Sequence, residues 1–449
     1  MPRYRVSIAA GTYDQMADLV RVHKLHIAGH TGKKKGRRYA VDAFADSAQI
    51  ERLRSAGYGV DVHEDVQEAG TRRQAEIGTM AAHGPVAAAG HYLGVDEVES
   101  SLANAAAHNP DFTQLIQLPN KTWEGRSCHA LRIGHGTQPG RPGIYFLGGI
   151  HAREWGSSDI LINFVEQLCD AFRTNHGLTL GGKSFSAAEV QQVVNGKDVY
   201  VFPQANPDGR RYSMTTAPDW RKNRRPAPAG SHSPDCVGVD LNRNYDFLWN
   251  YRTHFDPRAP VANSTDPCDP EVYIGPAPLS EPETKNVVWL LDQFAGIRYF
   301  VDVHSYSEDI LYNWGDDDDQ TKSPQMNFLN AAFDGKRGVA NDSGYKEYIP
   351  AADRTAAVKL AKQMRAVIQA VRGRDYKVMQ SMSLYPTAGT SDDYAYSRHL
   401  ADPAKPKILS YTIEWGSPDN ETPFHPPYAE MKQIIREITA ALLQFCLRA

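Results

Sequence analysis

From Tyr92 onward, short and almost wholly apolar segments alternate with longer stretches of helical period, and that alternation restricts the fold more than any other feature of the chain. The apolar segments are "IYFLGG" at 144–149, "VYVFPQ" at 199–204, "YFVDV" at 299–303 and "LSYTIEW" at 409–415. Between them the pattern predicts a helix from about Ser157 to Arg173 and another opening at Ser280, where Ser280 and Glu283 make a Ser-x-x-Glu capping box. A final helix repeats Ile434, Ile435, Ile438, Leu442 and Leu443 at a period near 3.6 and buries one face. Apolar strands that alternate with helices imply an α/β architecture, a largely parallel or mixed sheet sandwiched by helices. In such sheets, sites form beyond the carboxyl ends of the strands.

The chain is 449 residues long, more than one hydrophobic core usually organises, so two unequal domains are expected. Residues 1–69 alternate short strands ("RYRVSIAA", "RRYAVDAFA", "GVDVHEDV") with helices near Tyr13–His23 and Ser47–Gly57, the pattern of a small α+β sandwich. The stretch "QEAGTRRQAEIGTMAAHGPVAAAG" that follows is rich in Ala and Gly and poor in large apolar side chains, so 70–91 reads as a linker and 92–449 as the main domain. Its Thr71-Arg72-Arg73 offers a cut to a trypsin-like protease.

A net charge of −4 with 23% charged residues describes an ordinary globular protein and gives no sign of a nucleic-acid binder, so no nucleic-acid partner is expected. The one basic cluster, Lys33–Arg38, has no interleaved aromatics and reads as a solvated hairpin tip. No apolar run reaches the roughly 18 residues of a membrane span, and the first residues lack the apolar core of a signal peptide. As written, the chain favours the cytoplasm; it would be secreted if an export signal had been removed. Cys236 and Cys268 bracket a polar stretch and are candidates for a disulfide, which would argue for an oxidising compartment.

Three segments end in residues that carry chemistry. After "IYFLGG" come His151, Arg153 and Glu154; on their own, His151 and Glu154 fit a metal site, an acid/base pair or an ordinary loop. After "YFVDV" comes His304, and "LSYTI" ends at Glu414. His151, Glu154 and His304 would supply the two nitrogens and one carboxylate of a catalytic zinc site, whose fourth position stays open. Glu414 is then the carboxylate available as general base. In "CVGVDLNRNYD", Asn242 beside Arg243 at an apolar strand end is an odd choice for packing and suits a ligand carboxylate.

From about Tyr92 to its end the sequence resembles the zinc metallocarboxypeptidases of the carboxypeptidase A/B type. The resemblance rests on "HAREW", "NPDG" (Asn206–Gly209), "WRK", "CVGVDLNRN", "HSYS", the tyrosine of "SLYPTAGTSDD" and "TIEWG", all in family order. It implies a carboxypeptidase-like mixed eight-stranded sheet and one Zn2+ per chain held by His151, Glu154 and His304. Asp240 would orient a ligand histidine, Arg221 would stabilise the oxyanion and Glu414 would act as general acid/base. Asn242 and Arg243 would clamp the terminal carboxylate under Tyr385, with Arg153 and Tyr306 lining outer subsites. Cys236 and Cys268 match a disulfide of the animal enzymes, and residues 1–69 resemble, more faintly, the inhibitory pro-segment, an open α+β sandwich.

Counted from Tyr385, the resemblance implies that Asp392 falls at the floor of the side-chain pocket, where in the family an Asp accompanies preference for C-terminal Lys or Arg, and Asp393 at a position where the family is usually acidic. The implied function is a zinc exopeptidase, a monomer acting on peptide or protein C-termini. The alternatives are a zinc amidase or isopeptidase of the same fold on a modified or non-peptide substrate with a free carboxylate, and a non-catalytic binding protein. Against the last stand Glu414 and Arg221. Two expansions, Gly177–Ser184 and Asp316–Tyr348, are expected as surface loops, one of which would rim the funnel. The acidic run Asp316–Asp319 is expected to be solvated.

Overall fold

The structure, a computed structural model, describes residues 2–30, 39–78, 90–136, 140–383, 385–420 and 422–449. The basic cluster Lys33–Arg38 lies outside the described residues, as does 79–89 of the expected linker. The N-terminal unit comprises β1 (Arg3–Ala10), α1 (Tyr13–Arg21), β2 (His26–His30), β3 (Tyr39–Asp46), α2 (Ser47–Ser55), β4 (Gly59–Asp65) and α3 (Val66–Gln74). Its antiparallel sheet runs β2-β3-β1-β4. Val6, Ile8, Leu19, Val41, Ala43, Ile50 and Leu53 close a small core of its own. Strand β2, "HIAGH", was not expected. The expected linker is corrected at its start: residues 66–74 are helical, with Asp65 capping α3 through the amides of Gln67 and Glu68. Arg72 and Arg73 therefore sit in the last turn of a helix.

The main domain begins with α4 (Val95–His108), β5 (Thr113–Gln117), β6 (His129–Ile133), β7 (Gly143–Gly148) and α5 (Gly156–Thr174). It continues through the hairpin β8 (Leu178–Leu180) and β9 (Lys183–Phe185), α6 (Ala187–Gly196), β10 (Asp198–Phe202), α7 (Pro207–Thr215), α8 (Tyr251–His254) and α9 (Pro282–Gln293). The rest comprises β11 (Ile297–Ser305), β12 (Asp309–Tyr312), β13 (Asp319–Gln320), β14 (Glu347–Tyr348), α10 (Ala351–Arg372), β15 (Lys377–Gln380), α11 (Ser391–Ala401), β16 (Leu409–Trp415) and α12 (Tyr428–Arg448). Eight strands form one mixed sheet in the order β15-β12-β16-β11-β7-β10-β6-β5. Every residue of β7 is buried, as a central strand covered on both faces requires. Helices α5, α10 and α12 pack their apolar faces on one side of the sheet, and α9 and α11 lie on the other. No described helix is long and apolar enough to cross a membrane.

Three expectations are corrected here. Helix α9 starts at Pro282 with Glu281 at its cap position, because the Ser280 hydroxyl is spent on Glu281 Oε1 at 2.6 Å; the Ser280–Glu283 capping box does not form. Asn242 and Arg243 stand in a 3-10 turn, Leu241–Arg243, rather than at a strand end. The acidic run is not solvated: Asp316 and Asp317 are fully buried, Asp317 accepting from the amides of Gly338 and Asp318. Of the two expansions, the first is the β8–β9 hairpin, tied to the end of α10 by Gly182 N to Val371 O, 2.9 Å. No described residue of 316–348 lines the funnel. That expansion instead backs the segment after α8, whose Asp256 amide bonds to Arg337 O.

Candidate metal centre and substrate cavity

The carboxyl ends of β7, β11 and β16 converge because these strands are parallel neighbours, with His304 in register opposite Glu414. Strand β7 then turns on Gly148 and Gly149. Gly149 has φ +66°, and a Cβ there would lie 3.2 Å from both Pro203 O and Ser158 Oγ. Only glycine passes that gap without strain, and the turn carries His151 and Glu154 over the sheet end to the start of α5.

His151, Glu154 and His304 are buried, and one ligand atom from each lies within 4.8 Å of the others. His151 Nδ1 is 2.8 Å from Glu154 Oε1, His304 Nδ1 is 3.1 Å from Glu154 Oε2, and the two Nδ1 atoms are 3.1 Å apart. Each ring turns its other nitrogen to a buried carboxylate: His151 Nε2 lies 3.2 Å from Asp240 Oδ1 and His304 Nε2 lies 2.9 Å from Asp302 Oδ2. Those carboxylates fix the tautomer that points both Nδ1 lone pairs inward. Lone pairs converging with a carboxylate repel unless a cation stands between them. The same demand for positive charge acts on protons: against the cost of burial, Asp302 and Glu154 raise the proton affinity of His304 far above an ordinary imidazole. The donor set thus fits zinc, with two nitrogens, one carboxylate and room for a fourth ligand.

The remaining expected residues line or adjoin one cavity of about 1110 Å3. Glu414 faces it, and burial, with Glu154 and Asp309 nearby, pushes its carboxyl up to about 8 despite the pull of His304. Arg221 rests on Asp240 Oδ2 through Nε and Nη2 at 3.0 and 2.9 Å, so Asp240 bridges the arginine and a metal ligand. Arg243 gives Nε to Ala262 O and Nη1 to Asn242 O, and Asn242 Oδ1 accepts from Ser391 N at 2.8 Å. Both side chains border the cavity, as does half-buried Tyr385. Asp392 borders it too, accepting from Ser381 Oγ at 3.3 Å and Thr412 Oγ1 at 3.2 Å, whereas Asp393 turns away to Asn313 Nδ2 and Gly315 N. Cys236 and Cys268 are disulfide-bonded.

Arg153 and Tyr306 stand apart from the reacting groups, in a rim shared with the N-terminal unit. Tyr306 packs on Phe424 at 4.9 Å between ring centroids, and the Arg153 guanidinium lies over Phe424 and Phe44 at 4.4 and 4.9 Å. Asp219 and Glu271 hold Arg153. The sequence reading missed Asp302, Asp219, Glu271 and Phe424. Asp302 had a signal: a charged residue in an apolar strand, two before His304 and so on the same face. The other three are joined to the site only by the tertiary fold.

A zinc carboxypeptidase family model matches residues 98–441. The chain is 27% identical over 356 residues to zinc carboxypeptidase A 1 of Anopheles gambiae, covering 79% of this chain and 66% of that protein. It is 31% identical over 307 residues to carboxypeptidase B of Rattus norvegicus, covering 68% and 60%. It thus spans less than two thirds of the length of these relatives. The fold is similar to that of thrombin-activatable fibrinolysis inhibitor, at TM-score 0.68 and 20% identity over 99% of this chain and 98% of that one. It is also similar to carboxypeptidase A of Helicoverpa armigera, at TM-score 0.72 and 20% identity over 99% and 97%. With a family match across most of the main domain and a donor set suited to the metal, the chain belongs to the zinc carboxypeptidase family.

Proposed function

We propose that the protein removes one residue from the C-terminus of peptides or proteins and prefers Lys or Arg there. The observation that carries this reading is the shared cavity: His151, Glu154, His304, Glu414, Arg243 and Asp392 all border it. Arg243, with Asn242, binds the terminal carboxylate; the guanidinium is a fork of donors fixed by Ala262 O and Asn242 O. Asp392 is 4% exposed and carries only neutral hydrogen-bond donors. A buried carboxylate without a cation is costly, so a substrate ammonium or guanidinium completes it.

Zinc, when bound by His151, Glu154 and His304, supplies Lewis-acid polarisation and lowers the pKa of water toward ~7. Glu414 takes the proton from the attacking water and returns it to the leaving amine. Arg221 stabilises the oxyanion of the scissile carbonyl, and Asp240 holds that arginine and His151 in fixed relation. The N-terminal unit acts as a cover: Pro2, Arg3, Val20, Leu25, His26 and Phe44 wall the cavity from outside.

The test is release of amino acids from peptides that differ only at the last residue, with and without a chelator. The reading expects Lys and Arg over Leu and Phe by at least ~10-fold in kcat/KM, about 1.4 kcal/mol, loss of both with the chelator, and inversion of the order by Asp392→Ile. Preference for Leu or Phe in the wild type would overturn the specificity, and activity indifferent to chelator would overturn the chemistry.

A further inference from the structure

Arg3, at the start of the N-terminal unit, reaches a pair of acidic residues that belong entirely to the main domain. Its Nη1 lies 2.8 Å from Asp219 Oδ2 and 2.5 Å from Glu271 Oε1. Arg153 spans the same two carboxylates from below, with Nη1 3.1 Å from Asp219 Oδ1 and Nη2 2.8 Å from Glu271 Oε2. Two guanidiniums and two carboxylates therefore alternate in a closed array, roofed by Phe44, whose ring centroid is 5.0 Å from the Arg3 guanidinium and 4.9 Å from that of Arg153.

Charge counting shows what depends on Arg3. Without it, Asp219 and Glu271 share Arg153 alone, since the next cation, Arg221, is 4.0 Å from Glu271 and committed to Asp240. Glu271 is 2% exposed, and a buried carboxylate short of a partner is destabilising. Its position is fixed by the main domain: its own amide bonds to Asp269 Oδ1 at 2.9 Å, next to the Cys236–Cys268 disulfide. Glu271 is therefore held, with Arg153 already on it, independently of Arg3. Glu271 stands on the cavity wall with Arg153, Arg221 and Phe424, and Asp219 borders the small adjoining pocket that shares Phe424 with it.

The geometry points to Asp219 and Glu271 as a cation subsite that takes a Lys or Arg side chain upstream of the scissile bond, with Arg3 occupying it in the substrate's place. This rests on the exopeptidase reading with a displaceable cover, and it extends that reading to substrates that carry a second basic residue before the C-terminal one. Phe44 stacks on Phe424 beside the subsite, centroids 5.7 Å apart and planes 28° apart, so an aromatic neighbour of that basic residue finds the same surface.

The test uses the full-length chain carrying Arg3→Ser, which opens the subsite and leaves every catalytic group, with Arg3→Lys as a control that keeps a cation there. Argininamide, which has no carboxylate for Arg243, is titrated calorimetrically into each. Arg3→Ser is expected to take up one more equivalent than wild type or Arg3→Lys, and Glu271→Gln in that background to abolish the gain. No gain, or a gain that survives both Glu271→Gln and Asp219→Asn, overturns the subsite. On peptides ending in the same lysine, Arg3→Ser is expected to show a roughly tenfold lower KM when one of the three residues before the scissile bond is Lys rather than norleucine, with kcat unchanged. Equal KM values at low salt likewise overturn it. The norleucine peptide, assayed before and after cleavage at Arg72 and Arg73, reports on the exopeptidase reading by itself; if neither form cuts it, that reading fails, and the argininamide count still decides the subsite.

Discussion

His304 Nε2 lies 2.9 Å from Asp302 Oδ2, inside a strand that is otherwise apolar over Tyr299–Val303. Ser391 Oγ donates to the same carboxylate oxygen at 2.6 Å, so Asp302 is held from α11 while it orients the ring. Asp302→Asn keeps the shape and loses the charge that favours the tautomer. Zinc affinity measured by competition with a chelator should weaken by roughly 10- to 100-fold. An unchanged affinity would mean that the ring is oriented by packing alone.

The carboxylate clamp makes a prediction about substrates rather than variants. If Arg243 and Asn242 read a terminal carboxylate, converting it to an amide leaves a buried guanidinium without its anion, costing about 3 kcal/mol or more in kcat/KM. Steady-state comparison of acid and amide forms of one peptide measures this. Equal hydrolysis would indicate an endopeptidase or a general amidase.

The cover makes a prediction about limited proteolysis. Arg72 and Arg73 occupy the last turn of α3, and α3 is tied to the main domain by Gln67 Nε2 to Thr216 O and Gln74 Nε2 to Ser213 O, both 3.5 Å. A protease needs extended backbone, so cleavage there requires the helix end to fray. Activity on a long peptide should be low in the intact chain and rise in step with cleavage after these residues. Equal activity before and after would make the N-terminal unit a permanent domain.

Buried acid in the second expansion predicts a pH dependence of stability. Burial, with Asp316 beside it, raises Asp317 to about 9. In the unfolded chain an aspartate releases its proton near pH 4. Between those values the folded state holds a proton that the unfolded state does not, so stability falls as pH rises from about 4 to about 9. Asp317→Asn removes this dependence and keeps an acceptor for the Gly338 amide. Thermal unfolding should show a smaller loss of Tm from pH 5 to pH 9 in the variant, with a gain on the order of 1 kcal/mol at pH 8. An unchanged slope would place the dependence elsewhere.

What the sequence revealed, and what it hid, follows from how local each signal is. Strand β7 is legible because a strand covered on both faces must be apolar throughout, and His151 and Glu154 are legible because they follow it directly. The same holds for His304 and Glu414 at the ends of β11 and β16. Strand β2 has a glycine in its five residues and no apolar alternation, and only pairing with β3 makes it a strand. Four consecutive aspartates at 316–319 look solvated to any local reading. Asp316 and Asp317 are fully buried and Asp318 and Asp319 partly so, with the Gly338 amide on Asp317, Lys346 on Asp318 and Arg354 on Asp319. Asp219 and Glu271 gain meaning only from Arg3 and Arg153, which lie at least 66 residues away in the chain.

The central claim, that Glu414 works as a proton carrier beside a zinc held by His151, Glu154 and His304, is tested most directly by Glu414→Gln. Zinc per chain and kcat/KM are measured on the same preparation. The amide has the size of the acid and cannot accept a proton from water. The account predicts zinc near one equivalent and kcat/KM lower by roughly three powers of ten or more; a variant that holds zinc and keeps more than about a tenth of wild-type activity would contradict it.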